Sequence, residues 1–237
     1  NNGPQVDKRL YNGNISQTLW NTTNEDSSAK MYTYSYDALN RITGAIDNTA
    51  NYSLNSVTYD KNGNIKNLVR KGHLDNTLTP LFGVMDNLKY DYGITNGNKL
   101  FKVTDTGVAP IDVKGQFQDK NKSGNDYSYD ANGNMTADQN KKITSIQYNH
   151  LNLPTKIEFD FDENPDILYY GSIEYIYDAT GLKLQKKVSR VGALAKYGQS
   201  SNLYAGNYIY EGFTDYEKLK FFSHAEGYVE PSTTGFE

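Results

Sequence analysis

The sequence predicts an all-β protein built from consecutive antiparallel β-hairpins. Three observations lead to this fold class: polar and apolar residues alternate with a period of two, turn signals of the Asp-x-x-Gly type recur along the chain, and tyrosine is unusually common, with 21 copies. Hydrophobic residues make up only 37% of the 237 residues. We therefore expect a thin or open core in which tyrosine rings pack while their hydroxyls stay close to water.

The composition argues against several classes of function. The net charge is −4 and the chain has no basic stripe, so nucleic acid is not an expected partner. No apolar run approaches the length of a membrane-spanning helix, and we expect no membrane span. The chain has no cysteine, which excludes disulfide bonds, cysteine-based zinc sites and thiol catalysis.

The chain starts at Asn1 rather than at a methionine, and we expect it to be a fragment of a larger chain. We predict a single repeat domain over residues 1–237, because none of the polar segments has the length of an interdomain linker. Polar loops are predicted at residues 44–51, 119–125 and 192–202.

One short pattern recurs along the chain. An alternating strand ends in Tyr-Asp, a polar turn follows, and a return strand begins. We call the residue after the repeat tyrosine the first tip residue, and the residue three positions later the fourth tip residue. The clear copies are Tyr36-Asp37 with Asn40, Tyr59-Asp60 with Gly63, Tyr129-Asp130 with Gly133, Tyr148-Asn149 with Asn152, and Tyr177-Asp178 with Gly181. Weaker copies lie at Tyr90-Asp91 and Tyr210-Glu211, and residues 11–15 look like a shortened turn of the same kind.

The residue types of the pattern predict hairpin tips. In the first copy Tyr32, Tyr34 and Tyr36 share one face, as in a half-buried strand. Asp or Asn at the first tip position accepts hydrogen bonds from the backbone just ahead, and Gly or Asn at the fourth takes a positive φ at little cost. This combination predicts a type I turn followed by a left-handed residue. Each copy is therefore interpreted as a hairpin tip, and its Asp as a turn-former rather than a catalyst.

The other clusters of polar residues are interpreted as structural. The acidic run 160–166 has oxygen ligands at alternate positions, but Pro165 stands where an EF-hand loop requires glycine, so we predict no tight Ca²⁺ site. The three histidines, His73, His150 and His224, are far apart in the sequence. Carboxylates paired across strands could imitate a glycosidase, but chance pairing is expected among 28 acidic residues. We predict no catalytic residue, no metal site and no cofactor.

These residues resemble the YD-repeat, or RHS-repeat, family. The Tyr-Asp-x-x-Gly-Asn form at 59–64 and 129–134 carries most of the resemblance, which covers about residues 10–230. Residues 219–222 and 224–228 are similar to the stretch that leads into the RHS-associated core of that family. The Asp-Pro-x-Gly-type signature, which many members carry for self-cleavage, does not occur, since Pro231 follows Glu230.

The resemblance implies a fold and a function as expectations. Members are mostly large bacterial surface, secreted or toxin-associated proteins. Their hairpins form a twisted sheet that spirals into a hollow shell. In toxin members the shell surrounds a C-terminal toxic segment. For this chain the resemblance implies part of an RHS-type shell and an extracellular or cell-surface location in bacteria. Its partners would be the rest of the parent chain, namely flanking repeats, the core domain and the C-terminal segment.

Two hypotheses of function are open at this point. The first is a non-catalytic structural shell, which the repeats and the turn chemistry favour. The second is a cell-surface module that binds carbohydrate or a surface protein through exposed tyrosines. An enzyme has no specific support in the sequence. Rings packed within the sheet favour the shell, whereas rings lining an open groove favour binding. Exposed sheet edges are also expected to promote self-association.

Overall fold

The computed structural model describes residues 9–22, 27–79, 81–93, 97–107, 113–160, 170–191, 199–213, 216–232 and 235–236. The chain divides into two compact units, residues 1–124 and 125–237, and each is described by itself. Within the described ranges all regular structure is β-strand, which confirms the predicted all-β class. None of these residues forms a helix with the length and apolar character needed to cross a membrane.

The strands are short and follow one another closely. The first unit contains β1 (Gln17–Trp20), β2 (Lys30–Tyr36), β3 (Ile42–Asp47), β4 (Leu54–Tyr59), β5 (Ile65–His73), β6 (Phe82–Asp91) and β7 (Lys102–Asp105). The second unit contains β8 (Tyr127–Tyr129), β9 (Met135–Asp138), β10 (Ile143–Tyr148), β11 (Pro154–Asp160), β12 (Tyr170–Tyr177), β13 (Lys183–Val191), β14 (Ser200–Ala205), β15 (Tyr208–Phe213), β16 (Tyr216–His224), β17 (Gly227–Val229), β18 (Pro231–Ser232) and β19 (Gly235–Phe236).

Within each sheet, strands that are consecutive in the sequence pair antiparallel. The described strands of the first unit form a seven-stranded sheet in the order β1 to β7. Those of the second unit form a ten-stranded sheet in the order β8 to β17, and β18 pairs with β19. Short polar turns can join only antiparallel neighbours, so this order follows from the turn signals between the alternating strands. The predicted series of consecutive antiparallel hairpins is confirmed; the spiralling course of the sheet and the single domain stay predictions.

One face of the first sheet carries both repeat tyrosines and buried aliphatic residues, and we call it the tyrosine face. Across neighbouring strands Val57 lies opposite Leu68, Leu68 opposite Leu88, and Tyr90 opposite Val103. Directly opposed residues project from the same side of a sheet. Val57, Leu88 and Val103 are only 4%, 6% and 2% exposed. The period of two along each strand therefore brings the aliphatic and aromatic residues to one side.

An irregular segment, residues 113–119, lies against the tyrosine face of the first sheet, and we call it the strap. Arg70 and Asp86 pair across β5 and β6 and form an ion pair between Nε and Oδ2. Arg70 also donates from Nη2 to the carbonyl of Gly115, and the amide of Phe117 donates to Asp86 Oδ1 at 2.9 Å. The Asp86 side chain has no exposed surface. Arg70 and the strap thus supply the hydrogen bonds that a buried carboxylate requires.

The loop predicted at residues 44–51 was wrong in its first half, because β3 continues to Asp47. Gly44 allows a close approach between β3 and β4, since a Cβ there would lie a tight 3.3 Å from the carbonyl oxygen of Leu54. Asp47 is 8% exposed and accepts hydrogen bonds from the Tyr52 amide at 3.1 Å and the Ser53 hydroxyl at 2.7 Å. The polar residues of this stretch therefore belong to a turn after β3, which hydrogen bonds to the Asp47 carboxylate close. Of the loop predicted at 192–202, residues 200–202 belong to β14 and 192–198 lie outside the described residues.

Replacement of Arg70 by alanine is expected to lower the free energy of unfolding by about 3–5 kcal/mol, because it leaves the Asp86 carboxylate buried without a counter-ion. Arg70→Lys should cost less, since it keeps the charge but cannot reproduce both hydrogen bonds. Urea denaturation measures both variants. The control is Lys220→Ala, which removes a half-exposed pair with Glu211 (3.2 Å) and is expected to cost at most about 1 kcal/mol. Equal losses in Arg70→Ala and Lys220→Ala would contradict a stabilising role for the strap contacts.

Candidate functional site

The hairpin tip at Asp60 shows how the tip residues bond to one another. The Asp60 amide donates to the carbonyl of Asn64 at 2.9 Å, and the Gly63 amide donates to the carbonyl of Asp60 at 3.2 Å. Asp60 Oδ1 accepts from the amides of Asn62 and Asn64 at 2.8 and 2.9 Å, and Oδ2 accepts from Asn64 Nδ2 at 2.9 Å. Gly63 has a φ of 91°. The carboxylate closes the turn while glycine takes the left-handed position.

The other four tips repeat this arrangement. In each, the amide of the first tip residue donates to the carbonyl four residues ahead, at 2.9–3.0 Å, and the amide of the fourth donates back to the first, at 3.0–3.2 Å. A side-chain oxygen of the first tip residue accepts from backbone amides at 2.8–3.0 Å in Asp37, Asp130, Asn149 and Asp178. The fourth tip residues have positive φ: Asn40 61°, Gly133 91°, Asn152 58° and Gly181 90°.

A break in strand register accompanies each of these tips. It always lies directly before the repeat tyrosine, between Ser35 and Tyr36, Thr58 and Tyr59, Ser128 and Tyr129, Gln147 and Tyr148, and Ile176 and Tyr177. In each hairpin the extra residue lies in the return strand, three positions after the left-handed fourth tip residue. Such an extra residue is a β-bulge, which increases the local twist. Because every bulge has the same place relative to its tip, the repeat tyrosines hold equivalent positions.

Four repeat tyrosines donate a hydrogen bond from their hydroxyl to the preceding turn or hairpin, and we call this bond the tyrosine link. Its acceptor is the carbonyl two residues after the positive-φ residue of the preceding turn. The pairs are Tyr36 with Ile15 (2.9 Å), Tyr59 with Ile42 (2.7 Å), Tyr148 with Met135 (2.7 Å) and Tyr177 with Pro154 (3.0 Å). Burial raises the pKa of Tyr148 and of Tyr177, so both hydroxyls stay protonated donors at neutral pH. The repeat tyrosine therefore joins one hairpin to the one before it.

Asparagine side chains make a second connection between neighbouring tips. In each case both asparagines of an Asn-Gly-Asn sequence donate from Nδ2 to one asparagine oxygen in the next turn. The donors and acceptors are Asn12 and Asn14 to Asn40 (2.7 and 2.9 Å), Asn62 and Asn64 to Asn98 (3.2 and 3.0 Å), and Asn132 and Asn134 to Asn152 (3.2 and 2.8 Å). The sequence interpretation missed these contacts, although the recurrence of Asn-Gly-Asn was the available signal.

Arginine makes the corresponding connection from the tip at Asp37. Arg41 donates from Nε to Asp37 Oδ2 at 2.7 Å and from Nη1 to the carbonyl of Asp60 at 3.2 Å. Its guanidinium carbon lies 4.4 Å from the centre of the Tyr59 ring. The side chain thus donates hydrogen bonds to its own tip and to the next tip, and it stacks on the next repeat tyrosine. A guanidinium group can make all three contacts at once because it is planar, with donors at its edge and an apolar face.

Hydrogen bonds lower the pKa of the tip aspartates. The largest cause is the Asn64 side chain for Asp60, the Asn134 side chain for Asp130, the Thr180 hydroxyl for Asp178 and the Arg41 amide for Asp37. These carboxylates are therefore ionised at neutral pH, and their oxygens already accept hydrogen bonds from the turn. In the ionised state both oxygens of each carboxylate are available as acceptors.

The two weaker copies differ from the five clear ones. Tyr90-Asp91 ends β6, and its connection to β7 is longer, with the Phe101 amide donating to the carbonyl of Asp91 at 2.8 Å. Tyr210-Glu211 lies inside β15 and pairs with strands on both sides, so its interpretation as a hairpin tip was wrong. In the sequence a β-branched Thr stands at the fourth position of that copy, where a tip needs a residue that adopts positive φ.

The three histidines differ in their surroundings. The hydroxyl of Tyr52 is hydrogen-bonded to His73 Nε2 at 2.7 Å, while His150, within a tip, and His224 are exposed. Across the part of the chain that the structure describes, no three His, Asp or Glu side chains come close enough to hold a metal ion. Residues 161–166 of the acidic run lie outside the described residues.

The repeat tyrosines differ from the exposed tyrosines in their surroundings. Tyr36, Tyr59 and Tyr148 are half-buried, and their hydroxyls are engaged in tyrosine links. Tyr11 and Tyr228, in contrast, are 90% and 63% exposed. Ring packing within the sheet is the arrangement expected of a shell. A tyrosine-based surface that binds carbohydrate or protein stays a prediction, and it would have to use the exposed tyrosines.

Comparison with solved structures finds distant similarity to a toxin complex. The structure described as TcdB2-TccC3-TEV is 10% identical, with a TM-score of 0.32 over 86% of this chain and 12% of the other. TcdB2-TccC3-Cdc42 is 11% identical, with a TM-score of 0.28 over 87% and 15%. A Photorhabdus luminescens Tc holotoxin pore is 11% identical, with a TM-score of 0.25 over 87% and 14%. The chain thus spans between 12% and 15% of the chains it matches. No family model matches the sequence, and no curated protein does.

Replacement of Asp60 by alanine is expected to lower the melting temperature by a few °C at pH 7, whereas Asp60→Asn should retain most of the stability because asparagine serves as first tip residue at Asn149. The folded pKa of Asp60 is lowered, so the stability due to its ionisation is present above the ordinary value of 3.8 and lost as the pH falls through the folded pKa. Thermal melts of wild type and Asp60→Asn should therefore converge in acid. A loss in Asp60→Asn as large as in Asp60→Ala at pH 7 would refute the turn-forming role.

Replacement of Tyr59 by phenylalanine is expected to lower the free energy of unfolding by about 1 kcal/mol, because it removes the hydroxyl that donates to Ile42 but keeps the ring beside Arg41. The matched control is Tyr228→Phe, at a tyrosine that is 63% exposed, with an expected change near zero. Urea denaturation curves measure both. If the two variants are equally stable, the tyrosine link contributes nothing to the sheet.

Proposed function

We propose that this chain is a non-catalytic structural segment of a secreted or surface-exposed bacterial RHS/YD-repeat protein. In this proposal its hairpins form part of a β-shell that encapsulates or presents a C-terminal, toxin-like segment of the parent chain. Its partners would be the flanking repeats, the core domain and that C-terminal segment. The outer strands of each sheet would pair with further strands of the parent chain, and in isolation they would promote self-association.

The observation that carries the proposal is the use of the repeat residues between hairpins. The first and fourth tip residues shape their own turn, while the repeat tyrosine and the tip asparagines bond to a neighbouring turn. A set of contacts that recurs with each hairpin and reaches its neighbour extends a sheet by addition of equivalent units. Such a use of the recurrent residues is expected of a scaffold, because these residues stabilise the sheet itself.

The strap supports the encapsulation part of the proposal. It is a segment without regular structure that lies on the tyrosine face of the first sheet, where Arg70 and Asp86 bond to its backbone. The tyrosine face thus offers aromatic rings, aliphatic side chains and buried charged groups to an irregular polypeptide. A shell that holds another segment of its own chain would need a lining of this mixed character.

The experiment is purification of the full-length parent protein, followed by mass spectrometry for a cleaved C-terminal segment that stays associated. We expect such a segment to co-purify through mild denaturant and to be released only when the sheet unfolds. The segment should be released at a lower denaturant concentration from the Arg70→Ala variant than from the Lys220→Ala control. Only Arg70→Ala removes hydrogen bonds on the tyrosine face. A parent chain that is intact and encloses nothing would contradict the encapsulation proposal.

A further inference from the structure

A cleft of about 330 Å³ lies between the end of β7 and the second half of the strap, within the first unit. Its walls include Asp105, Phe117, Gln118 and Asp119. The volume is at the small end of the range for pockets that bind small molecules, so it suits a ligand of one or two rings. The sequence interpretation gave this region no role beyond a polar loop at 119–125.

Asp119 is the feature of the cleft that points to a ligand. Its side chain is only 5% exposed, and its Oδ2 accepts from the Asp105 amide at 3.0 Å and lies 3.3 Å from Lys122 Nζ. Its Oδ1 is also buried, yet it has no hydrogen-bond partner in the protein. A buried carboxylate oxygen without a donor is costly, because the desolvation of the charged group is not offset. A ligand that donates a hydrogen bond to Asp119 Oδ1 would offset this cost.

The charges around the cleft decide which kind of donor fits. Two carboxylates, Asp105 and Asp119, are balanced by two ammonium groups, Lys120 and Lys122. A divalent cation would be repelled by the lysines, and Oδ1 of Asp105 already accepts from the amides of Gly107 and Asn87 at 2.7 and 2.9 Å. An anion would face the buried carboxylate. A neutral molecule with several hydroxyl donors meets neither obstacle.

We propose that this cleft binds a neutral carbohydrate, with one sugar hydroxyl donating to Asp119 Oδ1. Gln118 can both donate to and accept from further hydroxyls, and the half-buried Phe117 contributes an apolar surface for a sugar ring. Lys120 and Lys122 at the rim donate to ring or hydroxyl oxygens. The site contains none of the exposed tyrosines, and all of its residues belong to the first unit. Sugar binding here does not depend on the proposed shell function.

The test is saturation-transfer difference NMR on the 237-residue chain with glucose, galactose, mannose, N-acetylglucosamine, maltose and lactose. We expect at least one sugar to bind, and titration calorimetry to show affinity at least about tenfold weaker in Asp119→Asn. Gln118→Trp, which fills the cleft and leaves Asp119 in place, should weaken binding equally if Asp119→Asn fails to fold. Glu211→Gln, in the second unit, is the control and should bind as wild type does.

Three results would overturn the proposal. No sugar gives a signal above background, which would mean that a buried water satisfies Asp119. A sugar binds, but with unchanged affinity in the folded cleft variants, which would place the site elsewhere. Ca²⁺ alone perturbs the resonances of the strap while the sugars do not, which would make the cleft a cation site.

Discussion

An Asp or Asn side chain that accepts backbone amide hydrogens at each hairpin tip is the constraint on which the sheet depends. Its bonds close a turn whose fourth residue has positive φ, and the return strand then carries one extra residue, so that the register shifts directly before the repeat tyrosine. The bulge fixes where the ring stands along the strand. Once the ring is there, its hydroxyl reaches the carbonyl that begins the previous return strand, as Tyr59 reaches Ile42 at 2.7 Å. The local turn thereby determines the contact between hairpins.

A sheet joined in this way can tolerate a small apolar core. Hydrophobic residues are 37% of the chain, and several of the most buried side chains are polar, among them Asp86 and Asp126 with no exposed surface. Burial of such groups is tolerable only when hydrogen bonds replace water, as Arg70 and the strap do for Asp86. Stability is then distributed over many similar contacts between neighbours, as in other repeat proteins.

The sequence predicts the local part of this structure and misses the long-range part. The clear tips can be found from a few adjacent residues, because the hydrogen bonds that close each turn lie within it. Glu211 forms no tip because a Tyr-acidic pair is not sufficient: a tip also needs Gly or Asn three residues later, where this copy has threonine. The strap could not be found, since Arg70 and Gly115 are 45 residues apart in the sequence and no local pattern joins them. Tyrosine links were hidden for the same reason: a tyrosine in an alternating strand does not specify its acceptor.

The central claim, that neighbouring hairpins are joined at their tips by side chains of the repeat, is tested most directly by a double-mutant cycle between Asn134→Ala and Asn152→Gly. The glycine keeps the left-handed backbone at position 152 and removes the side-chain oxygen that accepts from Asn134 Nδ2 at 2.8 Å and from Asn132 Nδ2 at 3.2 Å. Urea denaturation of the wild type, both single variants and the double variant should give a coupling energy of about 0.5–1 kcal/mol. The same cycle between Asn62→Ala and Asn152→Gly should give none, because Asn62 donates to Asn98 whereas Asn152 accepts from Asn132 and Asn134. A coupling energy of zero in the first cycle would contradict the claim.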